Sequence, residues 1–235
     1  LEYQDSIVVL DIKGENFELT SGWRAEQGQQ IYKFNPYDLQ THRWNPMGYV
    51  SADPAKRIND VQAIAAMLYP DQGGEDKFWI SQARNAFLAF ALYMYETHDY
   101  VRGMGGSVPA KLGPFPTLGR ILGLSTGAGS ELRPYLQALS QKPYLSQTCR
   151  TAFAGLLSQE ERTLSSILGV FREPLNPFIS PIMEAATAQN DFSLRDVRRK
   201  RMTIYLVIPP HKLGECRVLI NLFFSQLINV NVQTL

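Results

Sequence analysis

Residues 7 to 12, Ile-Val-Val-Leu-Asp-Ile, form a run that is apolar except for one Asp and ends at Gly14, the pattern of a strand covered on both faces. A second short run, 30 to 34, stops at Asn35-Pro36. The segment between them, GENFELTSGWRAEQG, predicts a helix closed near Gly28. A third strand is expected only at Met202 to Ile208, halted by Pro209-Pro210, with a helix from about Gly214 to Val230 that keeps Val218, Leu222 and Leu227 on its apolar side. Strand, helix, strand at one end and strand, helix at the other describe an α/β sheet interrupted by a long stretch of different character.

Between about Asp53 and Ala188 helical periodicity takes over. Asp53-Pro54 is an N-cap followed by Pro at the first helical position, and Ile58, Val61, Ala65 and Leu68 then share one face. The strongest amphipathic pattern follows: Trp79, Ile80, Ala83, Ala86, Phe87, Phe90, Ala91 and Met94 give a wide apolar stripe, as in the central helix of a bundle. Residues 103 to 119 are dense in Gly and Pro and predict a loop. Shorter helices are expected over 118–124, 131–140 (opened by Ser130), 143–157 and 160–171, the last with a capping box from Ser158 and Glu161. The expected fold is mainly α: a helical-bundle, all-alpha domain at 53–188, inserted between a partial α/β domain at 1–52 and a return to it at 189–235.

Composition narrows the function. A net charge of +1 from 23 Lys and Arg against 22 Asp and Glu gives no global basic field, so any nucleic-acid contact must be local. Cys149 and Cys216 are far apart, in no metal-ligand spacing, and are expected to be buried free thiols. His42, His98 and His211 are isolated from one another, and no G-x-S-x-G nucleophile turn occurs, so neither a metal site nor a hydrolase is expected. A spanning helix needs roughly 20 apolar residues, and the nearest stretch, 79 to 95, carries Arg84. Without a basic leader either, a membrane anchor of the parent is expected outside this chain.

SIVVLDIKGENFELTSGWR with IYKFNPYDLQTHRWNPM, and later ERTLSSILGVFREPLNPF with FSLRDVRRKRMTIYLVIPP, resemble the type IV secretion and conjugation coupling proteins of the VirD/TraG type, relatives of hexameric DNA translocases. The similarity covers most of both ends and thins within the helical block. The resemblance implies a parent that is a homohexameric, RecA-like P-loop ATPase using ATP and Mg²⁺ at the cytoplasmic face of the bacterial inner membrane. It also implies partners: secreted protein effectors, or relaxase with its DNA, and components of the secretion channel. The helical block is then the substrate receptor; the alternative is a DNA-contacting module of a conjugative translocase. No G-x-x-x-x-G-K-[ST] and no Asp-Glu dipeptide occurs, so the chain is read as lying between Walker A and Walker B, inactive as an ATPase alone and a monomer, with no bound cofactor.

Two sets of residues remain as candidates. Asp11, Lys13 and Glu15 follow the first strand, where the resemblance places nucleotide in the intact parent. Asp11 and Lys13, two apart in an extended chain, point the same way and either approach phosphate or close the strand end as an ion pair. Arg195, Arg198, Arg199, Lys200 and Arg201 form the basic cluster of the chain, either a contact for nucleic acid or an acidic partner, or a solvated turn before a strand. Trp44 is expected to pack the seam between sheet and helical block.

Overall fold

The computed structural model describes residues 3–71, 73, 76–104 and 113–232. They divide into two compact units, one made of residues 1–49 and 179–235, the other of 50–178.

The first unit is built on a parallel sheet of β1 (Ile7–Asp11), β2 (Gln30–Phe34) and β3 (Met202–Val207), in the order β1-β3-β2. All six residues of β3 are buried, which is why its sequence carries apolar residues on both faces, with one polar exception, Thr203, whose hydroxyl donates to Gln29 Oε1 at 2.6 Å. Helix α1 (Glu15–Glu26) joins β1 to β2 and covers one face. Phe17 meets the Tyr205 ring edge-on at 5.3 Å, and Thr20 Oγ1 lies 2.6 Å from the Tyr205 hydroxyl. On the opposite face, where Phe34 is in register with Leu206, α9 (Leu213–Val232) inserts Phe223 against Phe34 and Trp44 at 6.4 and 4.9 Å. Trp44 is fully buried in this layer. Its place is the core between β2 and α9, which corrects the expectation that it packs a seam; its N–H donates to Ala186 O.

Gly14 starts α1 with φ +80°, a left-handed conformation that a side chain would strain. The return segment reaches further back than expected. A 3₁₀ stretch runs over Glu173–Ile179, and α8 (Pro181–Ala186) lies in the sheet unit. The units change over at 49/50 and 178/179, against 52/53 and 188/189 in the sequence reading. The second shift has a local cause: Trp44 holds Ala186, and Arg43 forms a forked pair with Asp191.

The second unit is helical: α2 (Pro54–Leu68), α3 (Lys77–Gly103), α4 (Leu118–Leu124), α5 (Leu132–Ser140), α6 (Gln147–Leu157) and α7 (Glu161–Arg172). Asp53 caps α2 by accepting the Ala55 N–H at 3.0 Å. Helix α3 is longer than the predicted stripe and is its unit's core element, with Ala86, Phe87, Ala89, Phe90 and Ala91 fully buried. Phe90 packs edge-on to Phe153 and Phe171 at 5.9 and 5.2 Å, and the Tyr69 hydroxyl donates to Phe171 O. Of the loop expected over 103–119, residues 105–112 lie outside the described residues; Gly103 still belongs to α3 and Leu118 opens α4.

Three caps differ from expectation. Glu131, and not Ser130, stands at the N-cap of α5. Ser158 donates its hydroxyl to Gly155 O and closes α6, while Glu160 stands at the N-cap of α7. The Pro143 turn delays α6 until Ser146, whose Oγ accepts the Cys149 N–H and donates to Glu96 on α3.

The turns between helices are held by arginines. Arg84 donates to Tyr69 O, Arg133 to Leu157 O and Gln159 O, Arg150 to Lys142 O and Pro143 O, and Arg172 to Ser125 O. Arg120 holds Phe115 O, and Arg57 holds Ser51 O, Ala52 O and the Asp99 carboxylate. Carbonyls at helix ends lack intrahelical partners, and a guanidinium can serve two of them at once. Six of the eight arginines between residues 50 and 178 are committed in this way.

Candidate functional site

The sheet presents two edges. In open parallel sheets ligands gather at the carboxyl ends of the strands, where neighbouring strands send their connections to opposite faces. β1 and β3 are such neighbours, since α1 leaves β1 for one face and α9 follows β3 onto the other. Asp11, Lys13 and Glu15 lie at this point. Asp11 is 1% exposed, and its carboxylate accepts from Gly14 N at 3.0 Å, Asn16 Nδ2 at 3.3 Å and Phe17 N at 2.8 Å. It thereby occupies the N-terminus of α1, where unpaired N–H groups and the helix dipole favour negative charge.

The expected alignment of Asp11 with Lys13 does not form. The strand ends at Asp11 and the chain turns at once into Gly14, so the two-residue alternation stops. Lys13 instead lies 3.8 Å from Glu15, both side chains about two-thirds exposed (65% and 68%).

The same edge carries residues the sequence reading passed over. After β3 the turn 209–212 exposes His211 and sets Lys212 2.8 Å from Glu215 and 5.2 Å from the Tyr37 ring. Burial, then the neighbouring Cys216 and Glu215, push the Tyr37 phenol up, and its hydroxyl is buried with no hydrogen-bond partner among the described residues. Burial pushes the Cys216 thiol to about 12, which leaves it unreactive at neutral pH. The general rule about strand ends, applied after Pro209-Pro210, was the signal for this group. As a phosphate site the edge is incomplete: the N–H groups of Gly14 and Phe17 are taken by Asp11, and no glycine-rich cradle is present.

The basic residues sit at the opposite edge, ahead of β3. A one-turn 3₁₀ segment, Leu194–Asp196, leads into a turn in which the N–H groups of Arg199 and Lys200 both donate to Asp196 O at 2.8 Å. Lys200 pairs with the Asp196 carboxylate at 2.6 Å, Arg198 donates to Asn231 O, and Arg201 to the Gln4 side chain. The Arg195 guanidinium lies 5.8 Å from the Tyr49 ring centre. Arg199 makes no side-chain hydrogen bond or ion pair among the described residues. The two sequence candidates are thus separated by the length of the strands.

In the helical unit a stacked aromatic pair lies at the surface. Tyr100, 44% exposed on α3, stacks on Tyr144 at 4.3 Å, and the Tyr144 hydroxyl lies 3.1 Å from Thr97 Oγ1. Tyr93, one turn before Thr97, is pushed up to about 12, chiefly by burial. His42 contacts the Lys33 main chain and His98 the Gly113 carbonyl. No cluster of His, Cys, Asp and Glu suited to a metal occurs among the described residues, and no described helix is long and apolar enough to cross a membrane.

The model of the family described as Type IV secretory system Conjugative DNA transfer matches residues 1–234. The chain belongs to this family. Among curated relatives of this conjugative-transfer family, the VirD4 protein of Rhizobium radiobacter is 30% identical over 98% of the chain and 31% of its own length. A TraG conjugal transfer protein of Escherichia coli is 21% identical over 98% of the chain and 36% of its own length. The chain spans about a third of the curated relatives it matches. Among solved structures, the conjugative coupling protein TrwB aligns with 97% of the chain and 51% of its own, at 14% identity and a TM-score of 0.49. TrwB has also been solved with ADP and Mg²⁺.

Proposed function

We propose that this chain is the substrate-receiving part of a type IV coupling protein, with the helical unit binding translocated proteins noncovalently and the sheet unit belonging to the nucleotide domain. The observation that carries this is the stacked Tyr100 and Tyr144 pair on a helical body that closes its own core around Phe87 and Phe90. Tyrosines with an apolar body and a polar tip suit reversible protein docking. The boundary of the inserted all-alpha domain is taken at the unit changeovers, 49/50 and 178/179.

Membership of the family supports the coarser frame, a part in conjugative transfer; an ATPase relationship and nucleotide binding are our reading for the longer protein. For that longer protein we infer ATP with Mg²⁺, a homohexamer, a location at the cytoplasmic face of the inner membrane and docking to secretion-channel components. Asp11, Lys13 and Glu15 border its nucleotide and act from this chain through α1, which Asp11 holds in place. No phosphate chemistry is assigned to them, because the donors they stand beside are already used.

Titrating labelled secretion-signal domains or relaxase against the full chain tests the reading. Cognate substrate binds, Tyr100→Ala weakens it by about tenfold, and hydrogen exchange slows within residues 50–178. No binding of any cognate substrate, or protection confined to 1–49 and 179–235, refutes the receptor role.

A further inference from the structure

We propose that the turn carrying Arg195, Arg199 and Arg201 is a contact for the phosphodiester backbone of DNA, placed on the sheet unit and not on the helical unit. The inference rests on the coupling-protein reading only in choosing DNA among polyanions. Its location comes from how the cations of the two units are used.

The helical unit has few arginines to offer. Six of its eight hold main-chain carbonyls, and Arg57 is also 3% exposed. A guanidinium already donating to carbonyls at a helix end reaches a phosphate only by releasing them. The turn before β3 is the reverse case. Five cationic residues lie within seven positions, 195 to 201, and Asp196 is the single carboxylate among them, occupied by Lys200. Arg195, Arg199 and Arg201 are exposed, and none of the three is in an ion pair among the described residues.

The turn is also held still. Leu194 is fully buried, its N–H donates to the Tyr49 hydroxyl, and its carbonyl accepts from Asn231 Nδ2. Ser6 Oγ donates to Lys200 O, and Gln30 N to Arg201 O, so the turn is tied to the starts of both flanking strands. Cations fixed on a rigid backbone lose less freedom on binding than those on a mobile tail. Contacts to phosphate oxygens fix position and carry no sequence information, so the contact reads charge and spacing and no base sequence. Its position at the amino ends of the strands keeps it away from Asp11 and the carboxyl edge, so the two do not compete.

The experiment uses the full chain and a fluorescein-labelled oligonucleotide, single-stranded and duplex, titrated at several salt concentrations. Arg195→Gln, Arg199→Gln and Arg201→Gln combined lower affinity by about tenfold or more and flatten the slope of log K against log salt by about 2 on the single strand and nearly 3 on the duplex, as expected for three lost phosphate contacts. The charge-matched control Lys56→Gln, Lys77→Gln and Arg162→Gln stays within about twofold, and both triple variants keep the wild-type melting temperature. Equal losses in the two variants, or no DNA binding by the wild-type chain, overturn the proposal. A loss seen only on vesicles containing phosphatidylglycerol, with DNA affinity unchanged, replaces DNA with an anionic membrane and also overturns it. Binding of a secretion-signal domain, measured on the same variants, reports separately on the receptor reading: it is unchanged by the turn variant, and its absence leaves the DNA result standing.

Discussion

The Asp11 carboxylate accepts the main-chain N–H of Phe17 at 2.8 Å, so the last residue of β1 holds the first turn of α1. Removing a buried acceptor from a helix start exposes several donors at once to an apolar setting. Asp11→Ala is expected to lower the unfolding free energy by about 1–3 kcal/mol, with Asp11→Asn in between. Urea unfolding without nucleotide checks this, and an unchanged midpoint for the Ala variant removes Asp11 from its capping role.

Acid weakens the sheet unit through Asp191. The Arg43 side chain, followed by its main-chain N–H, holds the Asp191 carboxyl below the usual range despite some burial. A carboxyl whose folded value is depressed contributes stability that is full above its unfolded value, about 3.9, and is lost as pH falls through the folded value. Stability should therefore drop below about pH 4, and Asp191→Asn should make that drop shallower. Parallel acid titrations of wild type and variant by circular dichroism measure it.

Much of the helical unit was legible from periodicity, because its core helices are amphipathic. Phe87 and Phe90 were read as core from spacing alone, and both are fully buried. The order β1-β3-β2 was not legible: no local signal records a partner on the far side of the helical unit, although the mostly apolar, non-alternating sequence of β3 marks a strand covered on both faces. The arginine contacts left no trace either, since a carbonyl acceptor can belong to any residue. Asp11 was found as a candidate, but its role hung on where the strand stops, which propensity places only to within a residue or two.

Truncating the core phenylalanines tests the unit's cohesion. Phe87→Ala and Phe90→Ala should each cost about 3–5 kcal/mol, whereas Phe78→Ala should stay within about 0.5, because Phe78 is 47% exposed. Equal midpoints in chemical denaturation for all three variants contradict the placement of α3 at the centre.

Arg133 spans Leu157 O and Gln159 O at 2.6 and 2.5 Å. Lysine carries the charge without the fork, so Arg133→Lys should cost about 1–2 kcal/mol, while Arg162→Lys, on an exposed residue, should be within about 0.5. Thermal melts compare the two, and a lysine variant as stable as wild type means the fork adds nothing.

The chain alone should release no phosphate from ATP above background, with or without DNA, because it contains no G-x-x-x-x-G-K-[ST]. A coupled phosphate assay decides this. Turnover abolished by Lys13→Ala would reverse the assignment of the carboxyl edge.

The middle strand is the last of the three to be synthesised. Ser6 and Lys200, hydrogen-bonded across the sheet, are 194 residues apart, and among the described residues β1 and β2 each pair with β3 and not with one another. On a ribosome the helical unit, rich in local contacts, can close while both outer strands wait unpaired. Pairing of these three strands is then a late, slow event that draws segments on either side of the helical unit together, and translation pauses after residue 178 would lengthen the interval in which those apolar strands are open to aggregation or to a chaperone.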